Sequence, residues 1–366
     1  MNRHVRWLWP TLTLICMAAL MGVNARWNAL AGQGCFRITA KTGDALTQRM
    51  AELQKNEDVE LGAFSMRNLE EGPLAPATLY ESVLFHPVAM GISMTEGDLP
   101  FLAEAADKLL LHRRTASRLI PTGNCLGQTV QVEGDSYQVA GIYRSTGLWK
   151  NEATGILSAR EEALRPVYVW MRTAKDDVFA YEHLRRALVE ENQGVDAASF
   201  AGVDLTKRGA SAQMVNALAL FFMALLLARG LWSQQRGSRQ KFRQIAQENF
   251  QRRYFPGAML RCIGPFVRYM GGTLLCGGVL VAGALLLQGG FSQGAAALPE
   301  QLLSLRAWSV FLRREHAAIR AMWEMPMVAC RTGGLLLGWG LALDIAGLAS
   351  AGWTLVGKRK KERAGK

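Results

Sequence analysis

Four continuous apolar runs constrain this chain more than any other feature of its sequence. They cover residues 7–23, 214–232, 269–287 and 333–356. Each run has roughly the 20 residues that a helix needs to cross a hydrocarbon core about 30 Å thick. The sequence therefore predicts a membrane protein with four transmembrane helices, and the 50% share of apolar residues agrees with this.

The distribution of charge predicts how these helices are oriented. Basic residues cluster before the first run, between the second and third runs, and in the tail KRKKERAGK. Residues 27–206 hold more acidic than basic side chains. Because cytoplasmic loops carry the excess of lysine and arginine, we expect both termini in the cytoplasm and residues 27–206 outside it. The formal charge of +12 lies where spans end, so we expect contacts with membrane lipid and no nucleic-acid partner.

These patterns define a fold class and its boundaries. We expect four transmembrane α-helices with an α+β extracytoplasmic domain inserted between helices 1 and 2, in a multi-pass protein of the bacterial cell membrane. Ala29-Leu30-Ala31 fits a cleavage site after the first run, but its long apolar core favours an uncleaved anchor. The predicted segments are a first transmembrane helix (1–26), the extracytoplasmic domain (27–210), helix 2 (211–232), a basic cytoplasmic segment (233–266), helix 3 (267–289), an extracytoplasmic loop with an amphipathic helix (290–332), helix 4 (333–357) and a basic cytoplasmic tail (358–366).

The predicted extracytoplasmic domain mixes helix and strand patterns. Residues 44–56 have the spacing of an amphipathic helix, residues 59–67 and 79–89 read as strands, and residues 108–120 as an apolar run leading into a short helix. Residues 129–143 alternate around a Glu133-Gly134 turn and predict a β-hairpin. Val130 and Val132 would share its buried face with Tyr137.

The hairpin carries a resemblance to a known family. The stretch PTGNCLGQTVQVEGDSYQVAGIY, with glycines at 123, 127, 134 and 141, resembles the "GxxLGxxVxVxGxxYxVxGV" hairpin of MacB-like ABC transporter permeases. Upstream, GISMTEGDLPF is similar to the "GRFFTEED" segment of that family, with Ser93 in place of its arginine. The motif resemblance covers residues 90–144. The order of one helix, a large domain and three helices also resembles the related FtsX-like proteins.

This resemblance implies a function that depends on a partner. Members of the family are permease subunits that transmit the motion of a separate cytoplasmic ABC ATPase to the extracytoplasmic domain, for export or substrate release. It also implies a homodimer or a pair with another permease. The sequence itself contains no GxxxxGK[ST], HExxH or GxSxG motif, so we expect no enzyme activity, no catalytic residues, no cofactor and no metal site.

The basic cytoplasmic segment is the candidate contact with an ATPase. Phe242, Ile245, Phe250 and Tyr254 recur at helical spacing beside Arg243, ahead of Pro256-Gly257. This pattern fits a helix on the inner leaflet as well as a coupling helix. The resemblance places the ATPase contact here, but the family run "RRREIGILRAxG" is missing. Its absence favours the alternative function, a membrane-anchored binding or assembly protein acting without an ATPase.

Three further features are candidates for helix packing and for a covalent link. Gly334 and Gly338 form a GxxxG step, which permits close helix contact. Asp344 lies inside the fourth run, where a charge is costly unless it faces protein or water. Cys35 and Cys125 fall in the predicted extracytoplasmic domain, where a disulfide between them is possible.

Overall fold

The computed structural model of the protein describes residues 5–42, 44–56, 59–72, 74–75, 77–97, 107–120, 124–145, 153–158, 164–173, 179–189, 195–252, 255–294 and 305–364. The chain divides into two compact units. The helical unit comprises Met1–Ala29, Gly209–Glu315 and Leu336–Lys366. The sheet unit comprises Leu30–Arg208 and His316–Leu335.

Four of the helices in the described residues are long and apolar enough to cross a membrane, which confirms the predicted number. The candidate spans are Leu8–Leu30, Leu205–Gly230, Met259–Leu285 and Val328–Trp353. The described helices are α1 (Val5–Leu30), α2 (Asp44–Asn56), α3 (Pro87–Met90), α4 (Arg113–Leu119), α5 (Ala180–Val189), α6 (Leu205–Arg252), α7 (Phe255–Gly294), α8 (Leu305–Glu324) and α9 (Val328–Ala364).

The sheet unit is built on one mixed sheet, so the expected α+β domain is present. Its strands are ordered β10-β1-β9-β2-β3-β8-β5-β7-β4, and β6 pairs with β7. The β3–β8 and β5–β7 pairs are parallel, and the other pairs are antiparallel. The strands are β1 (Gln33–Lys41), β2 (Glu60–Leu69), β3 (Ala77–Leu84), β4 (Ile92–Gly97), β5 (Lys108–His112), β6 (Thr129–Val132), β7 (Asp135–Ser145), β8 (Ala153–Ser158), β9 (Leu164–Arg172) and β10 (Val195–Asp204).

Two apolar clusters hold the sheet unit together. In the first, alternate residues of β1, β2 and β9 pack with side chains of α2 and α5 such as Met50 and Leu184. In the second, residues of β5 and β7 pack with α4 and with the β6–β7 hairpin. Strand residues two apart point to the same side of a sheet. The strand residues of each cluster therefore share one face, and helices pack on that face.

The segment predicted as a strand over residues 79–89 is divided in the structure. β3 ends at Leu84, and Pro87 starts the short helix α3. Proline has no backbone N–H to give to a strand partner, and its fixed φ suits the first turn of a helix. Gly91 ends α3 in the left-handed region with φ 63°.

The β6–β7 hairpin forms as predicted. Val132 pairs with Asp135, which leaves Glu133 and Gly134 as a two-residue turn with φ values of 51° and 98°. Positive φ at both positions is the geometry of a type I′ turn, in which glycine is favoured. Val132 and Tyr137 are buried in the second cluster.

The sheet joins the candidate spans through very short connections. α1 ends at Leu30 and β1 begins at Gln33, while β10 ends at Asp204 and α6 begins at Leu205. One carboxylate oxygen of Asp204 accepts hydrogen bonds from the backbone N–H groups of Thr206 and Lys207 at 2.9 and 3.1 Å, which caps the start of α6. The backbone N–H of Gly32 donates to the Thr206 hydroxyl at 2.9 Å.

Candidate functional site

The first candidate site is the basic segment that follows the second span. The apolar part of α6 ends at Gly230, yet the helix continues to Arg252. At 1.5 Å per residue, this extension is about 33 Å long. α7 begins at Phe255 and runs back, so residues 231–252 of α6 and 255–269 of α7 form a helical pair that we call the α6–α7 hairpin.

The aromatic side chains of the α6–α7 hairpin pack against each other. The Phe242 ring lies 5.9 Å from the Phe266 ring and 6.3 Å from the Tyr269 ring, measured between centroids, and is nearly parallel to the latter. Such aromatic contacts bury large apolar areas and favour this pairing. The predicted apolar face that contains Phe242 is therefore partly covered by α7. Pro256 and Gly257 lie in the first turn of α7.

The remaining coupling candidates differ in their surroundings. Ile245 is half-buried, while Arg243 is exposed. Arg239 is also exposed and lies one turn before Arg243, so the two guanidinium groups share one face of α6. For Phe250 the structure describes only the helical backbone, and Tyr254 lies outside the described residues.

Within the helical unit, α1 and α6 are joined by amide side chains. The Asn216 amide donates to the side-chain oxygen of Asn24 at 2.7 Å. The Gln213 amide donates to Asn28 Oδ1 at 2.8 Å and to the Asn24 carbonyl at 3.3 Å. On α9, the Ser350 hydroxyl lies 2.8 Å from the Thr13 hydroxyl of α1. Polar contacts of this kind stabilise the association of membrane helices, because the hydrophobic effect does not favour contact between helices in lipid.

Asp344 on α9 is a buried acidic residue inside a candidate span, at 5% exposure. Neither of its carboxylate oxygens has a hydrogen-bond partner among the described residues. An ionised carboxylate in these surroundings would be costly.

Several glycines on α9 lie close to neighbouring side chains. A Cβ added at Gly334 would lie 3.2 Å from Trp323 Nε1 of α8, but one added at Gly338 would meet no described atom within 4 Å. The role of this GxxxG step in helix packing stays a prediction. Close approaches also occur at Gly340, beside Asn216, and at Gly347, beside Met223.

A small cavity in the helical unit contains a carboxylate that the sequence reading did not single out. It is lined by residues of α6, α8 and α9, including Ser211, Asn216 and Glu315. Glu315 is 3% exposed. The sequence indicates a buried position here, because Glu315 lies three residues after Leu312 and four before Ile319, on the apolar side of a helix.

The sheet unit buries an ionic cluster that ties the β6–β7 turn to the sheet. Glu81 of β3 is 7% exposed and contacts Arg67, with Nε to Oε1 at 3.0 Å, and Arg165. Arg67 also reaches Glu133 in the hairpin turn, with Nη1 to Oε2 at 2.6 Å. Ser65 donates to Glu81 at 3.3 Å. The buried charge is therefore paired and hydrogen-bonded, as burial of a charge requires.

A histidine of the sheet unit packs against a tryptophan of β9. The His86 ring lies 4.7 Å from the Trp170 ring, between centroids, and its Nε2 is 3.9 Å from a carboxylate oxygen of Glu60. Burial lowers the pKa of His86 below its usual 6.5. The positive charge of Arg172 lowers this pKa further, whereas the negative charge of Glu60 raises it. His86 is thus held mainly neutral near neutral pH.

The two cysteines singled out in the sequence both lie in the sheet unit. Both side chains are buried, and Cys35 lies in β1. The link between them stays a prediction. Cys125 lies in the second apolar cluster of the sheet unit. The thiol beside Cys35 belongs to Cys330, at the start of α9, and is within hydrogen-bonding reach of it. Sequence separation hid this neighbour, since Cys330 lies in the predicted extracytoplasmic loop (290–332), far from Cys35 along the chain. In the described part of the chain, no three His, Cys, Asp or Glu side chains group as a metal site.

Comparisons with known proteins give fold-level similarities. No protein-family model matches the chain, and no curated protein does. Among solved structures, the periplasmic region of MacB from Actinobacillus actinomycetemcomitans is 13% identical with a TM-score of 0.33, covering 48% of this chain and 91% of that one. The extracellular domain of the noncanonic ABC-type transporter YknZ from Gram-positive bacteria is 14% identical with a TM-score of 0.31, covering 46% and 100%.

A third similarity is to a domain of a permease protein. A domain described as part of a permease protein from Porphyromonas gingivalis is 10% identical with a TM-score of 0.29, covering 46% of this chain and 86% of that one. The structural neighbours are thus the periplasmic region of MacB, the extracellular domain of YknZ and a domain of a permease protein. At these TM-scores and identities, none of them decides what the chain does.

Proposed function

We propose that this chain is the permease subunit of a MacB/FtsX-like ABC transporter complex in the bacterial cell membrane. A separate cytoplasmic ATPase would hydrolyse ATP, and the permease would carry the resulting motion to the extracytoplasmic domain for export or substrate release. Both termini would be cytoplasmic, and the subunit would work as a homodimer or beside another permease.

The short connections between sheet and spans are the observation that carries this proposal. β1 and β10 are hydrogen-bonded neighbours, and each is joined to a candidate span by at most two residues. A displacement of α1 or α6 therefore reaches a strand of the sheet without passing through a flexible linker. Direct strand-to-helix connections of this kind suit a protein that transmits movement better than one that only anchors a domain.

The α6–α7 hairpin supports a contact with the ATPase. It extends α6 by about 33 Å past the end of the apolar stretch, at the end of the span opposite to β10. Arg239 and Arg243 are exposed on one face of α6, whereas Phe242 packs inside the hairpin. We assign the two arginines to the docking surface and Phe242 to the support of the hairpin.

Purification from native membranes in mild detergent tests the proposal. An ATPase subunit is expected to co-purify, and its yield should fall at least about tenfold in the double variant Arg239→Glu/Arg243→Glu, because reversed charges repel the complementary surface. Arg313→Glu on α8 is the matched control, since Arg313 is also an exposed helix arginine and lies outside the hairpin.

Either of two results would contradict this assignment. A clean preparation with no ATPase would leave the membrane-anchored binding or assembly function, which the missing "RRREIGILRAxG" run favours. An unchanged ATPase yield in the double variant would place the contact elsewhere on the chain.

A further inference from the structure

Two cysteines from distant parts of the sequence lie side by side in the sheet unit. Cys35 lies in β1 and Cys330 in the first turn of α9. Both side chains are 0% exposed. The Cys330 thiol is within hydrogen-bonding reach of the Cys35 thiol, so the two sulfur atoms need little movement to bond.

The backbone at both positions is well supported. Cys35 has hydrogen-bonded strands on either side and pairs with Val203 of β10 and Trp170 of β9. Next to Cys330, the backbone N–H of Arg331 donates to the Met327 carbonyl at 3.1 Å, and its side chain donates to the Met325 carbonyl at 3.3 Å. The juxtaposition of the thiols therefore rests on elements that are fixed by other contacts.

Cys35 is buried on the face of the sheet opposite to α2 and α5. Phe36 and Ile38 of β1 point to the face of the sheet that α2 and α5 cover. Cys35 points to the other face, where Arg37 is exposed and Thr39 only half-buried. Residues 316–335 belong to the same unit and bring Cys330 to this face, where Cys35 is fully buried.

We propose that Cys35 and Cys330 form a disulfide in the mature protein, which links β1 to the start of the fourth span. The proposal rests on the outward orientation of the sheet unit in the proposed function, because disulfides persist in oxidising compartments and not in the cytosol. The Cys35–Cys330 disulfide fixes the extracytoplasmic end of α9 to the sheet.

The bond forms by exchange with the disulfide of an extracytoplasmic thiol oxidoreductase. The Cys35 thiolate attacks one sulfur of that disulfide, which gives a mixed disulfide and releases one thiol of the oxidant. The Cys330 thiolate then attacks the Cys35 sulfur and displaces the second thiol. Two cysteine thiols are oxidised to one disulfide, and one disulfide of the oxidant is reduced to two thiols. Because both side chains are buried in the folded chain, the exchange precedes the completion of folding.

Alkylation of the full-length protein tests the bond without any substitution. Membranes are denatured in N-ethylmaleimide with no reductant, and the peptides are identified by mass spectrometry. Cys35 and Cys330 are expected in one linked peptide whose mass is lower by two hydrogen atoms than the sum of its parts. Cys16, Cys125, Cys262 and Cys276 are expected to carry the maleimide. Recovery of maleimide on both Cys35 and Cys330 overturns the proposal.

Alanine variants identify the partners independently. A protease site placed within residues 146–150 allows the chain to be cut between Cys35 and Cys330. Without reductant, the cut wild type and the control Cys125→Ala should migrate as one band in denaturing gels, and with reductant as two. Cys35→Ala and Cys330→Ala should give two bands in both conditions. Two bands for Cys125→Ala without reductant would mean that Cys125 holds the bond.

An orientation marker separates failure of the disulfide from failure of the proposed function. Glu71 is exposed in the sheet unit, and the six native cysteines are buried, so Glu71→Cys provides one accessible thiol. If a membrane-impermeant maleimide does not label it on intact cells, the proposed orientation is wrong. If it is labelled while Cys35 and Cys330 are both alkylated, only the disulfide is wrong.

Discussion

Glu81 shows how single residues organise the sheet unit. Its carboxylate is buried between Arg67 and Arg165, and Arg67 extends the contact to Glu133 in the hairpin turn. Removing one member of a buried ion pair is strongly destabilising, because the remaining charge is left without a partner. The hairpin that carries the family resemblance is therefore held in place by a charge on a strand that is distant in sequence.

His86 makes the stability of the sheet unit depend on pH. Because its pKa is lower in the folded state than the usual 6.5, the unfolded chain binds the proton more readily, and stability falls as the pH drops below 6.5. We expect His86→Phe, which retains a ring against Trp170, to flatten the decrease in thermal unfolding midpoint between pH 6.5 and about 5. If the unfolding midpoint of the variant decreased with pH as steeply as that of the wild type, His86 would be excluded as the source of the pH dependence.

At the scale of elements, α9 is the helix whose small residues matter most. Its contact with α1 and α6 includes Ala351 in an apolar cluster with Leu20 and Leu220. Gly347 lets α9 approach Met223 of α6 and Cys16 of α1, whose Cβ would be 3.2 Å from an added Cβ. Gly338 lies about two and a half turns earlier on the same helix, and an added Cβ there would meet no described atom within 4 Å.

These two glycines form a matched pair for substitution. Gly347→Ile is expected to lower the stability of the detergent-solubilised protein by about 1–3 kcal/mol, because the added atoms overlap α1 and α6. Gly338→Ile should cause little change, since the site has room for the side chain. The thermal unfolding midpoint measures both. Equal shifts in the two variants would show that the contact at Gly347 does not limit packing.

For the whole molecule, hydropathy and charge predict which segments lie on each side of the membrane. Arg243→Cys in the α6–α7 hairpin is expected to react with an impermeant maleimide only in inside-out vesicles, and Glu71→Cys only in intact cells, since lysine and arginine accumulate on the cytoplasmic side. Labelling of both positions from the same side would contradict the proposed topology.

Much of this architecture follows from local patterns, and the remainder depends on distant contacts. The four spans, α2 and the β6–β7 hairpin were predictable because hydropathy and turn chemistry act over a few residues. The continuity of α6 beyond Gly230 was missed, because the change from apolar to basic residues marks the end of the span but not of the helix. The Cys35–Cys330 contact and the Glu81 cluster join elements that no periodicity relates.

The pairing of β1 with β10 has a consequence for how such proteins are assembled. Gly34 lies opposite Asp204, so the chain enters and leaves the residue 31–204 region at adjacent points. A domain with neighbouring ends is an interchangeable module, because it can be inserted between two helices without forcing them apart. A chain built on this plan can therefore accept a different domain between two helices while the helices stay as they are.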